Sequence, residues 1–153
     1  MTCVLVVDDD ELIRSALRAI LERKGVDVCE AKDGVEGLAQ IRHRMIDLIF
    51  VDIFMPTMDG FEFIRALRKT HGTVPVAVMS GMNLCLPFLS NDHQPPDYLR
   101  MARALGAVHT LKKPFSQDEL WDVVDACLSP NEGECLGPFA GMIPELGVCG
   151  ACS

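Results

Sequence analysis

Short apolar runs alternate with stretches of helical periodicity along most of this chain. Five runs are typical of buried strands, at residues 3–7, 26–30, 47–52, 74–79 and 108–111. Between and after these runs, apolar residues recur at the spacing found on the buried face of a helix. We therefore predict repeated βα units, which favour an α/β fold with a parallel sheet covered by helices on both faces.

Local signals indicate where the helices begin, which side chains line them and where they end. Asp33 with Glu36, Asp59 with Glu62, and Ser116 with Glu119 fit the capping-box pattern at helix starts. Gly25 suits a left-handed cap at the end of the first helix, and Gly72 is expected to end the third. The apolar stripes are Leu12, Ile13, Ala16, Leu17, Ile20 and Leu21; then Val35, Leu38, Ile41 and Met45; then Phe61, Ile64 and Leu67; and last Leu120, Val123, Val124, Cys127 and Leu128. Residues 97–105 are also predicted to be helical.

Polar side chains stand at the ends of the predicted strands. Asp8 and Asp9 end the first, Asp52 the third and Ser80 the fourth, and Lys113 follows the fifth. The working site of an open parallel sheet lies beyond the carboxyl ends of its strands. In the flavodoxin-like order 2-1-3-4-5, the first and third strands are neighbours, so Asp8 and Asp9 are expected beside Asp52. Carboxylate oxygens suit Mg²⁺, and a carboxylate can form an acyl phosphate. We predict that Asp52 accepts a phosphoryl group, with Lys113 as a fixed charge and Ser80 as a hydroxyl donor.

Composition narrows the class of protein. The formal net charge of −8 argues against direct nucleic-acid binding, because no basic stripe is available to neutralise phosphates. No apolar stretch is long enough for a membrane helix, and no basic segment precedes the first apolar run, so a cytoplasmic protein is expected. The seven cysteines are then interpreted as thiols, and Cys3, Cys29, Cys85 and Cys127 are expected to pack mainly in the core.

The strand-end motifs follow one another in a distinctive order. They are Val-Val-Asp-Asp at 6–9, Val-Asp-Ile-Phe-Met-Pro-Thr-Met-Asp-Gly at 51–60, Met-Ser-Gly at 79–81 and Leu-Lys-Lys-Pro-Phe at 111–115. With these motifs, residues 2–128 resemble a receiver domain of the bacterial two-component response regulators, in the CheY-like superfamily. The stretch 51–60 carries the most specific part of the resemblance.

The resemblance implies a role for each acidic position. Asp52 corresponds to the phosphoacceptor. Asp9 corresponds to a direct ligand of Mg²⁺ or Mn²⁺, and Asp8 to a ligand that usually reaches the metal through water. Asp52 and the backbone carbonyl of Phe54 complete the implied metal ligands.

The resemblance also implies switch and turn positions. Ser80 and Lys113 correspond to the residues that bind the phosphoryl group and report its presence. Pro56, Gly60 and Pro114 correspond to turn positions, and the peptide bond before Pro114 is expected to be cis. Many receivers carry an aromatic switch residue three positions before the lysine, where this chain has Thr110.

As a receiver, the chain is expected to take its phosphoryl group from a histidine kinase or a histidine phosphotransfer protein. Phosphorylation would shift an existing equilibrium on the face made by the fourth helix, the fifth strand and the fifth helix. That face would bind a downstream protein. A phosphorylation-dependent dimer is an alternative use of the receiver. The chain is not expected to be an enzyme beyond its own phosphorylation and slow dephosphorylation.

Two segments lie outside the pattern. Residues 81–96 form an extended loop in the predicted receiver domain at 1–128, and residues 129–153 are a Gly-, Pro- and Cys-containing tail expected to be poorly ordered. Cys149 and Cys152 have a Cys-x-x-Cys spacing, and Cys135 is a third candidate zinc ligand, although incidental thiols are the favoured interpretation. The tail is too short for an output domain, so a stand-alone receiver is expected.

Two other functions remain open at this point. One is a receiver-like binding module that signals without phosphorylation, against which the acidic cluster and Lys113 argue. The other is an Mg²⁺-dependent phosphohydrolase with an aspartyl phosphate. That class usually needs a second Asp two residues after the nucleophile, where this chain has Phe54.

Overall fold

Five strands and five helices alternate along the part of the chain that the structure describes. The structure is a computed structural model and describes residues 1–81 and 98–129. The strands are β1 (Cys3–Val7), β2 (Asp27–Ala31), β3 (Leu48–Asp52), β4 (Val76–Ser80) and β5 (His109–Lys112). The helices are α1 (Glu11–Glu22), α2 (Gly34–His43), α3 (Gly60–Thr70), α4 (Tyr98–Ala104) and α5 (Gln117–Leu128). The predicted order of elements is confirmed, and the strand boundaries lie within two residues of those expected.

The five strands form one parallel sheet in the order β2-β1-β3-β4-β5. This confirms the flavodoxin-like order. β1 pairs with β2 on one side and with β3 on the other, so that Val7 lies opposite both Ala31 and Val51. Because all the strands run in the same direction, their carboxyl ends meet at one edge of the sheet.

Both faces of the sheet are buried. On one face, side chains such as Leu5 and Val51 pack against α2 and α3. On the other face, side chains such as Val6 and Phe50 pack against α1 and α5. Burial on both faces is why the strands are nearly continuous apolar runs rather than alternating ones.

The buried face of α2 differs from the predicted stripe. Val35 and Met45 are 53% and 92% exposed, so the prediction that they face inward is wrong. Met45 lies beyond the end of α2, and the helix turns Gly37 toward the sheet instead. A Cβ atom on Gly37 would come within 3.0 Å of both Phe63 and Val7. The missing side chain lets α2 approach the sheet closely and rotates its buried face away from Val35.

Two other helices refine the predicted stripes. In α1, Leu17 and Leu21 are buried but Leu12 is 78% exposed. At 100° per residue, Leu12 lies about 140° around the helix from Leu17, so it belongs to the outer side. In α3, Phe63 is fully buried and was missing from the stripe, whereas Phe61 is half-buried against the same core.

Most of the predicted helix signals are confirmed. The two reciprocal bonds of a capping box are present at Asp59–Glu62 and at Ser116–Glu119. Asp33 accepts a hydrogen bond from the Glu36 backbone, but the Glu36 carboxylate accepts from the Lys32 N–H instead of completing the box. Gly25 has the left-handed φ of +79° expected after α1. Likewise, α3 ends at Thr70 with His71 as its C-cap, so Gly72 is the first residue after the cap, as predicted.

One arginine ties together the loops at the amino-terminal edge of the sheet. Arg68 on α3 donates hydrogen bonds to the carbonyls of Gly72, Val74 and Gly106, at 2.9, 2.8 and 2.6 Å. These carbonyls belong to the connections that lead into β4 and β5. Arg68 therefore holds α3 to the two strands that follow it in the sheet.

Several sequence predictions fall partly or wholly outside the described residues. The extended loop is described at Gly81 alone, and Cys85 and the tail cysteines at 135, 149 and 152 lie outside the described ranges. Cys3 and Cys29 are buried free thiols, as predicted, and Cys127 is a free thiol that is half-buried. Within residues 1–81 and 98–129, no helix is both long enough and apolar enough to cross a membrane.

Candidate functional site

Three carboxylates meet at the carboxyl edge of the sheet. Asp8 follows β1, Asp9 is next to it, and Asp52 is the last residue of the neighbouring strand β3. One ligand oxygen from each of the three lies within 4.8 Å of the others. Asp8 and Asp52 are buried and Asp9 is exposed. The structure therefore brings together the acidic residues that the sequence predicted, with one side open to solvent.

Asp8 is held by hydrogen bonds at every polar position. Its backbone N–H donates to the Ala31 carbonyl at 3.1 Å, and its own carbonyl accepts from Arg14 Nη1 at 2.7 Å. Its Oδ1 accepts from the Asp10 N–H at 2.9 Å, and its Oδ2 accepts from Lys113 Nζ at 2.5 Å. Such an arrangement fixes both the backbone and the carboxylate of a residue that is fully buried.

Lys113 links the carboxylates to β4. Its ammonium group lies 2.5 Å from Asp8 Oδ2 and 3.5 Å from Asp52 Oδ2. Its backbone N–H donates to the Ser80 carbonyl at 2.7 Å. The Lys113–Pro114 peptide bond is cis, as expected. One lysine therefore contacts two of the acidic groups and the last residue of β4.

The pKa of the Asp52 carboxyl reflects both its burial and the charges around it. Burial raises its pKa from 3.8 to about 6. The nearby Lys113 ammonium and a backbone hydrogen bond from Phe54 lower the pKa, whereas the Asp8 carboxylate raises it. Because desolvation is the largest cause, the ionised form of Asp52 is costly in this buried position, and a bound cation would stabilise it.

The loop after β3 depends on a glycine that lies against the site. The Gly60 N–H donates to the Ile53 carbonyl at 2.9 Å. A Cβ atom on Gly60 would lie 2.6 Å from the Asp52 carbonyl oxygen, which no larger residue can accommodate without a backbone shift. Pro56 lies in the same loop, where its carbonyl accepts from the Met58 N–H at 2.8 Å. The predicted turn glycine is thus required by close packing against Asp52.

The two predicted switch positions lie on adjacent strands. Ser80 is buried at the end of β4. Thr110 lies on β5 opposite Val78, and its hydroxyl accepts a hydrogen bond from Arg103 Nη2 at 3.3 Å. Arg103 is in the last turn of α4, so a hydrogen bond joins α4 to β5 at the position without an aromatic ring.

The sequence matches the response regulator receiver domain family over residues 4–125. The chain belongs to this family. The acidic cluster and Lys113 of the receiver lie at the strand ends where the resemblance had placed them.

Curated regulators and solved receiver structures are similar to this receiver. Response regulator MprA of Mycobacterium sp. (strain KMS) is 35% identical over 134 residues, which are 85% of this chain and 53% of that protein. The alkaline phosphatase synthesis transcriptional regulatory protein PhoP of Bacillus subtilis (strain 168) is 34% identical over 129 residues, which are 84% of this chain and 49% of that protein. This receiver therefore spans about half the length of these two regulators.

The structural matches cover whole receiver domains. The chemotaxis protein CheY4 of Vibrio cholerae is 31% identical with a TM-score of 0.71, over 84% of this chain and 99% of that one. The receiver domain of NtrX from Brucella abortus is 30% identical with a TM-score of 0.71, over 82% of this chain and 97% of that one. These similarities agree with the observed strand order.

The receiver's acidic residues fit the divalent cation that members of this family generally bind. Mg²⁺ and Mn²⁺ prefer oxygen ligands, and Asp8, Asp9 and Asp52 offer three carboxylates within reach of one another. A bound cation would also stabilise the ionised form of Asp52, which burial disfavours. Phe54, predicted to add its backbone carbonyl, lies in the loop directly after β3, and its residue surface is 43% exposed.

Two residues near the site were not found from the sequence. Arg14 on α1 bonds to the Asp8 carbonyl, and its Nε lies 3.5 Å from Glu30 Oε1 on β2. Both also line a surface cleft of about 300 Å³ between the starts of α1 and α2. The one feature of the local sequence that could have indicated Arg14 is its position, one turn into the helix that follows the acidic pair. Its contact with Asp8 depends on how that helix docks.

Proposed function

We propose that this receiver accepts a phosphoryl group on Asp52 from a phosphohistidine of a histidine kinase or histidine phosphotransfer protein. The observation that best supports the proposal is the meeting of three carboxylates with the Lys113 ammonium at one edge of the sheet. The family match supports the same chemistry, because its members serve two-component signalling.

In the proposed transfer, an Asp52 carboxylate oxygen attacks phosphorus while the P–N bond of the donor breaks. The new P–O bond leaves an acyl phosphate on Asp52, and the released imidazole takes up a proton. Attack needs the ionised carboxylate, which predominates above a pH of about 6. Hydrolysis by water later returns the carboxylate and inorganic phosphate. We infer no enzymatic activity beyond these two reactions.

We propose that Asp8, Asp9, Asp52 and the Phe54 carbonyl hold Mg²⁺ or Mn²⁺ for this reaction. When bound, the cation supplies charge that offsets the negative phosphoryl oxygens during transfer. Lys113 adds a second positive charge from the protein itself, and it already lies within 3.5 Å of Asp52. A phosphoryl group on Asp52 gives the Lys113 ammonium a stronger partner than its present carboxylates.

We propose that the signal passes from the site to the surface formed by α4, β5 and α5. Ser80 is the last residue of β4. Its backbone carbonyl accepts a hydrogen bond from the N–H of Lys113, the residue that follows β5. A movement of Ser80 toward a phosphoryl oxygen is therefore linked to β5. The surface then gains or loses affinity for a downstream protein or for a second phosphorylated copy.

Intact-mass analysis after incubation with acetyl phosphate and Mg²⁺ tests the proposal. The wild type is expected to gain the mass of one phosphoryl group, and hydroxylamine, which cleaves acyl phosphates, should remove it. Asp52→Asn should gain nothing. Asp122→Asn, which removes the same charge from an exposed position on α5, should behave like the wild type.

Equal labelling of wild type and Asp52→Asn would contradict the assignment of the phosphoacceptor. If neither the small donors acetyl phosphate and phosphoramidate nor a phosphorylated histidine phosphotransfer protein labels the wild type although Mg²⁺ binds, the proposal of phosphotransfer to Asp52 is wrong.

A further inference from the structure

The backbone that carries the acidic pair is held from two sides. The Asp8 N–H donates to Ala31 on β2, and the Asp10 N–H donates to Asp8 Oδ1. Asp9 lies between these two anchored residues and is itself exposed. The direction of the Asp9 carboxylate therefore depends on how firmly the Asp8–Asp10 backbone is fixed.

Arg14 supplies the contact that completes this anchoring. Its Nη1 donates to the Asp8 carbonyl at 2.7 Å, while its Nε lies 3.5 Å from Glu30 Oε1. Its side chain is 15% exposed and that of Glu30 is 25% exposed. Glu30 immediately precedes Ala31, so both contacts of the Asp8 backbone lead back to the same end of β2.

We propose that Arg14 is a positioning residue for the divalent cation, an inference that rests on the metal site of the proposed function. Its planar guanidinium bridges the Asp8 carbonyl and the Glu30 carboxylate with two different nitrogens. That bridge fixes the end of β1 from which Asp8 and Asp9 present their oxygens. Octahedral Mg²⁺ sites tolerate little error in ligand position, so a loosened backbone weakens binding.

The substitution Arg14→Lys distinguishes an effect of side-chain geometry on Mg²⁺ binding from an effect of positive charge. Lys keeps the positive charge but has a single terminal nitrogen, which cannot reproduce a bridge made by Nη1 and Nε. A purely electrostatic effect of Arg14 on Mg²⁺ would therefore persist in Arg14→Lys. Removal of the charge alone, as in Arg14→Gln, would strengthen Mg²⁺ binding because it reduces repulsion of the cation.

Arg18 provides a matched control on the same helix. It also pairs with Glu30, and its Nε lies 2.8 Å from Glu22 Oε1. Its side chain donates hydrogen bonds to Glu22, Glu30 and the Val28 carbonyl rather than to Asp8. Arg18→Lys thus perturbs the same carboxylate without touching the backbone of the acidic pair.

The experiment is a Mg²⁺ titration of the full chain followed by amide NMR at Asp9, Asp52 and Phe54, with no phosphodonor. Arg14→Lys is expected to raise the Kd for Mg²⁺ about tenfold, as loss of an outer-shell partner does. Arg18→Lys should stay within about twofold of the wild type, because it lacks the contact with Asp8. A role limited to fold stability would lower the unfolding temperatures of both variants without separating their Mg²⁺ affinities.

If Arg14→Lys does not fold, Arg14→Gln at about 0.5 M KCl replaces it, because a Debye length of roughly 4 Å screens the charge effect. The same tenfold loss is expected there. An unchanged Kd in the folded Arg14 variant, or an equal loss in the Arg18 variant, overturns the inference. Absence of Mg²⁺ binding by the wild type would contradict the metal site and the Arg14 inference together. Binding without phosphorylation would contradict the phosphotransfer proposal alone.

Discussion

Replacement of Asp52 by Asn is expected to stabilise the folded chain when no divalent cation is added. The Asp52 carboxyl is buried beside Asp8, and its pKa is raised from 3.8 to about 6. The folded state therefore binds a proton more readily than the unfolded chain between these two pH values. Stability falls as the pH rises through this window, and above a pH of about 6 the full penalty is present.

The size of this penalty follows from the change in pKa. A rise from 3.8 to about 6 corresponds to roughly 3 kcal/mol at about 1.4 kcal/mol per pH unit. Solvent reaches the open side of the site and still hydrates part of the carboxylate, which lowers the expected figure to about 1–2 kcal/mol. Asn keeps the shape of the side chain and removes the charge, so Asp52→Asn should recover that free energy at neutral pH.

Urea denaturation with a chelator, at several pH values between 4 and 7.5, measures this effect. At a pH of about 7.5, Asp52→Asn should exceed the wild type by about 1–2 kcal/mol in the free energy of unfolding. The difference should shrink steadily toward a pH of about 4, where the unfolded carboxyl, whose ordinary pKa is close to this pH, also begins to bind protons. The exposed control Asp122→Asn should stay within about 0.5 kcal/mol of the wild type.

Mg²⁺ provides an internal check on the same pair of proteins. A cation at ten times its Kd stabilises the wild type by about 1.4 kcal/mol, and Asp52→Asn should gain much less because it has lost a carboxylate ligand. The reasoning is refuted if Asp52→Asn is no more stable than the wild type at neutral pH without Mg²⁺. A stability difference that does not change with pH would refute it as well.

Three further predictions follow from other contacts. The initial rate of Asp52 phosphorylation by acetyl phosphate should fall as the pH drops below about 6, and a higher Mg²⁺ concentration should move this midpoint to lower pH because a cation favours the ionised carboxylate. Arg68→Ala should lower the free energy of unfolding by about 1–2 kcal/mol in urea titrations, because the part-buried Val74 carbonyl loses its donor and the exposed Gly72 and Gly106 carbonyls must bind water instead. Exposed Arg65→Ala on the same helix should have little effect. Gly60→Ala should cost more than about 2 kcal/mol and slow phosphorylation, because its Cβ would lie 2.6 Å from the Asp52 carbonyl; Gly72→Ala, with 3.4 Å to its nearest neighbour, should be tolerated better.

The acidic cluster could be predicted from the sequence because its formation depends only on the parallel direction of the strands and on their order. Four of the five apolar runs end in, or are followed by, a polar residue with a predicted chemical role, and parallel strands bring such ends to one edge. Once β1 and β3 are neighbours, Asp8 and Asp52 have to lie close together, although more than forty residues separate them in the sequence. The capping boxes at Asp59 and Ser116 were open to prediction for a similar reason, since each is a bond between residues three positions apart.

The faces of the helices were harder to predict, because the depth of docking depends on distant side chains. Val35 and Met45 have the spacing of a buried stripe, yet they are exposed. Gly37 lets α2 lie close to Val7 and Phe63, and this contact selects a different face. An apolar residue is a weak predictor of burial when a nearby glycine allows closer packing elsewhere on the helix.

The local sequence thus specifies the elements, their order and the polar residues at their ends. The pattern of hydrophobic and polar residues and the short-range hydrogen bonds of the helix caps depend only on residues that are close together in the chain. The bridge from Arg14 to Asp8 and Glu30, the position of Lys113 between two carboxylates and the raised pKa of Asp52 arise after the chain has folded. These features depend on distances of a few ångströms between residues remote in sequence. If α1 had the same sequence but packed differently on the sheet, Arg14 would not reach the site. These contacts therefore follow from the tertiary structure and not from the sequence pattern alone.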